Sequence, residues 1–322
     1  MQATKKCTHG TLHKASTIKF YSNRFLNCIG LRDEILKDKY KILKYIIFEI
    51  LEPKHRIVTA TRFRDRVWQK AMCDAGLRKA LTGSFISDNG ACRPGYGTDY
   101  CLERIICGLQ KHYRKHHTWD NLYYVHLDIK SFYPNTPHTS TKAVISQRVH
   151  DEKIVSHVHA IIDSFKDFRD CETIVNDPFG IRGTALGSEP AQQMQLALID
   201  PIDHYIKEQI KIKMYYRYND DFLIMSTDIA KIKQAIEYVT SKLGEHGLIV
   251  KNKSGVQPAG GGITFMKKKI AFKPKGKVII KYIRQKFAAE RRKLRGLKRK
   301  LDRGEITMDA IERHYQAWAG SA

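Results

Sequence analysis

The chain has 322 residues, of which 42% are hydrophobic, and its 57 Lys and Arg against 33 Asp and Glu give a net charge of +24. That composition fills a core across about two domain-sized units, contains no run near the ~18 apolar residues of a membrane span, and predicts a soluble, cytoplasmic protein. The seven cysteines are odd in number and lack a C-x2-C pair, which argues against a disulfide framework and a zinc site, while the charge points to a polyanionic partner, nucleic acid.

In chain order, residues 1–45 are polar, with an amphipathic stretch at 31–37 that reads as helix. Residues 45–51 read as a buried strand and 52–56 as a turn arming Lys54 and Arg56 before a second strand at 57–59. Apolar residues at helical intervals over 62–72 predict a helix. A glycine-rich loop at 89–98 exposes backbone N–H groups, and Arg93 within it can add bidentate phosphate contacts before the helix at 99–109. The stretch 111–117 interleaves basic residues with Tyr113 at that helix's end. A hydrophobic strand then delivers Asp128, with Tyr133 five positions later.

Residues 183–192 combine a glycine turn at Gly187 with the start of a helix over 191–205. Aromatic and aliphatic runs flank Asn219-Asp220-Asp221, and Asn and Asp tolerate the positive φ of a tight turn, so residues 215–225 predict a β-hairpin with acids at its tip. Adjacent carboxylates repel unless a cation lies between them, and hard oxygen ligands suit Mg²⁺. An amphipathic helix follows at 231–243, then a loop carrying Lys251 and Lys253, then glycines at 260–262. From Lys273 onward, basic residues stud a region read as largely helical, with Ile279, Ile280, Ile283, Phe287 and Leu294 as its apolar side.

A strand ending in Asp128 with Tyr133 beyond it, the motif 183–192, and the Tyr218-Asn219-Asp220-Asp221 hairpin, in this order, resemble the palm of a prokaryotic reverse transcriptase of the diversity-generating retroelement and group II intron-like family. The resemblance extends over residues 50–322. It implies an α+β right-hand polymerase fold: N-terminal segment and fingers at 1–115, a palm with an antiparallel sheet at 116–270, and a short helical thumb at 271–322. It also implies RNA-directed DNA synthesis with two Mg²⁺ ions, Mn²⁺ being the alternative, because two cations about 3.5 to 4 Å apart both activate a primer hydroxyl and neutralise pyrophosphate.

By the same resemblance, Asp128, Asp220, Asp221 and the carbonyl of Ile129 are the metal ligands, and Lys253 protonates the departing pyrophosphate, with Lys251 its competitor. Lys54, Arg56 and Arg93 hold triphosphate or template. Tyr133 lies under the sugar and excludes a 2′-hydroxyl, which disfavours an RNA-copying RNA polymerase. Leu186, Gly187 and Gln192 line the incoming nucleotide, and Gly262, Phe265 and Met266 grip the primer end. The Asp65-Arg66 helix braces the fingers. An aliphatic Leu186 where group II intron and retroviral enzymes carry Gln resembles the low-fidelity diversity-generating enzymes. Antiphage-defence reverse transcriptases, and a non-catalytic basic RNA-binding protein, are the alternatives. The implied partners are template RNA, a primer/cDNA duplex, dNTPs, a cognate non-coding RNA and an accessory protein, with no membrane.

Overall fold

The computed structural model describes residues 1–50, 56–165, 167–185, 188–282 and 284–319, with backbone alone at 56, 282, 284–286 and 317. Helices α1 (Gln2–Thr8), α2 (Ala15–Ser22) and α3 (Arg24–Leu36) precede the antiparallel hairpin of β1 (Ile46–Ile50) and β2 (Arg56–Ala60). There follow α4 (Phe63–Met72), α5 (Arg78–Thr82), α6 (Thr98–His116), β3 (Tyr123–Ile129), α7 (Phe132–Asn135), α8 (His138–Arg148), α9 (Glu152–Asp163), α10 (Cys171–Val175) and α11 (Glu189–His204). The last part holds β4 (Met214–Tyr218), β5 (Asp221–Ser226), α12 (Ile229–Gly244), β6 (Val250–Asn252), β7 (Gln257–Pro258), β8 (Ile263–Phe265), β9 (Lys268–Phe272), β10 (Val278–Tyr282), α13 (Arg284–Asp302) and α14 (Met308–Ala319).

The central sheet is antiparallel, in the order β4-β5-β3-β6, with β7 pairing β3 beyond the end of β6. Successive strand residues face opposite sides, so β3 sends Val125, Leu127 and Ile129 into one core and Tyr124 into another. The first core packs these residues with Phe222 and Ile224 of β5 against Ile199 and Ile202 of α11 and Ile232 and Val239 of α12. The second packs Tyr124, Tyr216, Leu223 and Met225 against Leu102, Ile105 and Leu109 of α6. Burial on both faces is why these strands read as continuous apolar runs, and each fully buried large side chain contributes roughly 1.5–3 kcal/mol. Gly108 lets α6 close on the sheet, since a Cβ there would fall 1.9 Å from the Tyr216 hydroxyl.

A smaller sheet, β8-β9-β10, leans on α6 through Ile263, Phe265 and Ile270, and the ring of Phe272 stacks on Trp119 with centroids 4.2 Å apart. Residues 273–282, expected as helix, are a turn at Pro274–Gly276 followed by β10. The β-branched Val278, Ile279 and Ile280 after a Pro and Gly pair with β9 in register, and the helix starts only at Arg284. At the N-terminus, α1 and α3 pack on α4 through Ala3, Cys7, Leu31, Phe63 and Val67. Asp65 is buried there, accepting from the Tyr40 hydroxyl at 2.8 Å and the Leu43 N–H at 3.1 Å, while Arg66 donates to the Cys7 carbonyl at 2.8 Å. No helix among the described residues is long and apolar enough to cross a membrane.

Candidate active site

β4 and β5 meet in a two-residue turn, Asn219-Asp220, with Tyr218 opposite Asp221 and Asn219 at φ 52. Asn is among the few residues that adopt this conformation at low cost. Asp128 near the end of β3 is opposite Asp221, and the Ile129 N–H donates to the Asp220 carbonyl at 3.2 Å, which ties the strand end to the turn. Ligand oxygens of Asp128, Asp220 and Asp221 all lie within 4.8 Å of one another. Three half-buried carboxylates so close repel. Burial, with the charges of Asp221 and Asp128, pushes the Asp220 carboxyl up to about 6.

Asp221 behaves oppositely. Burial opposes its charge, but hydrogen bonds from His126 and Lys253 outweigh burial and hold its carboxyl below the usual range. Lys253 Nζ is 2.8 Å from Asp221 Oδ1 and 2.9 Å from Asp128 Oδ1, and these carboxylates raise its pKa against the effect of burial. Lys253, rather than Lys251, makes these contacts. An all-oxygen donor set, with one carboxyl pushed up by burial and by its neighbours' charge, fits a hard divalent cation.

The turn is fixed from behind by an ion pair in which both side chains are 0% exposed, Arg217 of β4 with Asp203 of α11. Arg217 Nε lies 2.8 Å from each Asp203 oxygen and its Nη2 2.6 Å from Oδ2, while the Tyr215 hydroxyl donates to Oδ1. The same guanidinium donates to the carbonyls of Asn219 at 3.2 Å and Leu196 at 3.3 Å. On the outer edge of β4, the Arg217 N–H donates to the Asp88 carbonyl at 3.0 Å and the Gly90 N–H to the Arg217 carbonyl at 2.9 Å. A parallel bridge between Asn89 and Arg217 thus registers the 88–90 segment on the hairpin.

Beside the acids, a cavity of about 490 Å³ is lined by Lys70, Arg78, Cys92, Arg93, Glu189 and Gln192, among others. Cys92 Sγ lies 3.6 Å from Gln192 Oε1 and 3.7 Å from Asn219 Oδ1, so the cavity adjoins the turn. Tyr133, in the single turn of α7, lies close to Cys92, Gln192 and Asp220, and burial with the charges of Cys92 and Asp220 raises its hydroxyl to about 12. Arg93, expected to reach phosphate, instead donates to the carbonyls of Phe85, Ile86 and Asn89 and lies 3.7 Å over the Tyr96 ring. Its planar fork braces its own loop. Lys70 and Arg78 likewise close on Glu189 at the start of α11. Lys54, Leu186 and Gly187 lie outside the described residues, as does the side chain of Arg56.

In the β8–β9 hairpin, Gly262 has φ 92, and a Cβ there would meet the Ile270 carbonyl at 2.8 Å, so glycine is required for both conformation and approach. Phe265, expected beneath a primer, is 0% exposed. The alternation of β8 points Ile263 and Phe265 into the core and Thr264 out. Met266 and Lys267 form the turn with φ 47 and 60, the doubly left-handed pattern of a type I′ turn on side chains that resist it.

Sequence reading missed His126, Cys92 and the Arg217–Asp203 pair. A signal existed for two of them. His126 has the parity of Asp128 on one strand, and a charge between Tyr216 and Tyr218 in a buried strand demands a partner.

Residues 38–254 match the family model described as reverse transcriptase (RNA-dependent DNA polymerase). No curated sequence relative matches. Among solved structures, apo telomerase from Candida tropicalis is similar at 14% identity and TM-score 0.53, covering 74% of this chain and 48% of that one. Telomerase from Candida albicans in complex with a TWJ fragment of telomeric RNA is similar at 10% identity and TM-score 0.52, covering 75% and 47%. The likeness is one of fold, the mixed helix and antiparallel sheet of a polymerase, and the chain spans about half the length of those telomerase chains.

Proposed function

Because the chain belongs to the reverse transcriptase (RNA-dependent DNA polymerase) family, we propose that it is a nucleotidyltransferase extending a primer along template RNA with dNTPs. The observation that carries this reading is the convergence of Asp128, Asp220 and Asp221 from two strand ends within 4.8 Å. Mg²⁺, or Mn²⁺ in its place, is the cation these hard donors suit, and when bound it supplies an activated primer oxygen and a neutralised leaving group. Two such ions would be held by Asp128 and Asp220 from β3 and the turn, with Asp221 and the Ile129 carbonyl completing the set. Lys253, whose pKa Asp221 and Asp128 raise against the effect of burial, would give its proton to a leaving pyrophosphate oxygen.

Tyr133 fills the space beside Asp220 where a ribose 2′-hydroxyl would project, and Gln192 and the loop around Arg93 wall the cavity that receives the nucleotide and template. Lys54, Arg56, Leu186 and Gly187 keep the nucleotide-binding roles that the family resemblance assigns them. Gly262 and Met266 shape the hairpin that meets the primer end, with Phe265 supporting it from inside, and basic α13 follows the duplex. We assign fingers to 1–115 and palm from 116. The palm runs to 270 and the thumb from 271 in this assignment, with the β9–β10 pairing crossing that boundary ahead of α13.

Within the family, Leu186 before Gly187, with Gln192 at the helix start, favours a diversity-generating retroelement. A cognate non-coding RNA and an accessory protein would be its partners, and an antiphage-defence role is the alternative. Leu186→Gln should then lower misincorporation opposite template adenines; an unchanged error spectrum rejects that assignment. The primary test is primer extension by the purified chain on an RNA template with dNTPs and Mg²⁺. DNA product that Asp220→Asn abolishes is expected. Absence of product, or product indifferent to Asp220→Asn, leaves a basic RNA-binding protein on a polymerase fold.

A further inference from the structure

On β3 the side chains of residues 124, 126 and 128 share one face, so His126 stands one pleat behind Asp128. Across the ladder His126 is opposite Leu223 and Asp128 is opposite Asp221, which makes Asp221 the diagonal neighbour of His126, within reach of a long side chain. The imidazole Nε2 lies 2.8 Å from Asp221 Oδ1, and the side chain is 13% exposed. The backbone of His126 is engaged as well. Its N–H donates to Ser254 Oγ at 2.9 Å and its carbonyl accepts the Lys253 N–H at 2.8 Å. The Phe265 ring meets the imidazole edge-on, with centroids 5.2 Å apart and planes at 73°. One residue therefore touches a carboxylate of the turn, the loop carrying Lys253, and the inner side of the β8–β9 hairpin.

We propose that His126 is a positioning residue for the acid cluster: it fixes the rotation of the Asp221 carboxylate through Nε2–H and seats Lys253 through its backbone. The inference rests on reading the cluster as a divalent-cation site. In the neutral ring, donation through Nε2 leaves Nδ1 without the proton. Partners that orient a ligand from behind typically change metal affinity 10- to 100-fold when removed.

Geometry also dictates which replacement rescues. The amide nitrogen of Gln reaches the depth of Nε2, whereas that of Asn reaches only the depth of Nδ1. Leu fills the space without a donor.

The test is Mn²⁺ binding to the full chain, followed by electron paramagnetic resonance without nucleotide or nucleic acid, with the thermal midpoint recorded alongside. His126→Leu is expected to weaken Mn²⁺ binding about tenfold or more, His126→Asn to resemble it, and His126→Gln to stay within about threefold of the unmodified chain. If His126→Leu does not fold, the Gln and Asn variants decide the matter between them. Binding by His126→Leu as tight as that of the unmodified chain, or binding by His126→Gln no better than by His126→Asn, overturns the positioning role. If the unmodified chain binds no Mn²⁺, or binds it undiminished after Asp220→Asn, the cation site itself is refuted and this inference with it. A failure of positioning alone leaves the Asp220-dependent binding in place.

Discussion

Replacing Arg217 with Met keeps most of the side-chain volume and deletes the charge. Arg217 and Asp203 are each 0% exposed, and the guanidinium makes three contacts of 2.6 to 2.8 Å to the carboxylate. Without it, Asp203 retains the Tyr215 hydroxyl, and the carbonyls of Asn219 and Leu196 lose a donor. Removing one partner of a buried ion pair destabilises by about 3–5 kcal/mol, a large share of the 5–15 kcal/mol typical of a folded domain. Urea-induced equilibrium unfolding at pH 7 measures it as a fall in midpoint at unchanged slope.

Two controls sharpen the case. Burial already holds the Asp203 carboxyl above the usual carboxylate range despite Arg217, and in Arg217→Met the loss of that charge raises it further above its unfolded value. Stability tied to such a group is present at low pH and is lost as pH rises through the folded pKa, so the deficit should be smaller at pH 5 than at pH 8. The double variant Arg217→Met with Asp203→Leu removes both charges and should recover most of the loss. A single-variant loss below about 1 kcal/mol, or a double variant no more stable than the single, refutes the claim that this pair locks the hairpin to α11.

The remaining predictions concern the turn and the small sheet. Asp220, pushed up to about 6, destabilises the cation-free chain progressively as pH rises from about 4 through 6, because its folded pKa lies above the unfolded value. Asp220→Asn should accordingly raise the thermal midpoint at pH 8 and barely change it at pH 4; an equal effect at both pH values contradicts the charge crowding. Gly262→Ala imposes a side chain at φ 92 and a 2.8 Å clash with a backbone carbonyl, and should lower stability by about 2 kcal/mol in urea titrations. Lys267→Gly relieves a left-handed residue at φ 60 and should be neutral to stabilising by about 1 kcal/mol, so a clear loss would show that the lysine side chain holds the turn.

What the sequence disclosed was set by the range of the interactions involved. Asp128 at a strand end and Asp220-Asp221 on a hairpin tip follow from alternation and turn chemistry, which are local, and their order along the chain carried the family resemblance. The Arg217–Asp203 pair joins a strand to a helix, and no periodicity announces which acid meets which base. Arg93 shows the limit from the other side: a glycine-rich loop with an arginine reads as a phosphate clamp, and nothing in the local sequence announces that the carbonyls of Phe85, Ile86 and Asn89 engage the guanidinium. Phe265, which the resemblance puts at the primer end, shares a face with Ile263 and is buried with it, a parity that strand alternation already carries in the sequence. At 278–282 basic residues at helical intervals masked a β-branched run that pairs with β9.

β4 is the outermost strand of its sheet, and an open rim of unpaired donors and acceptors invites extension by a stray strand from another molecule. The clasp of residues 88–90 over Arg217 occupies part of that rim without a further full strand. The rim can therefore remain rich in tyrosine without repelling charges, and the hairpin is shielded from accretion at the point where its aim matters. The clasp continues directly into the segment carrying Cys92 and Arg93, so main-chain bonds anchor one side of the cavity to the strand that leads into the acid turn.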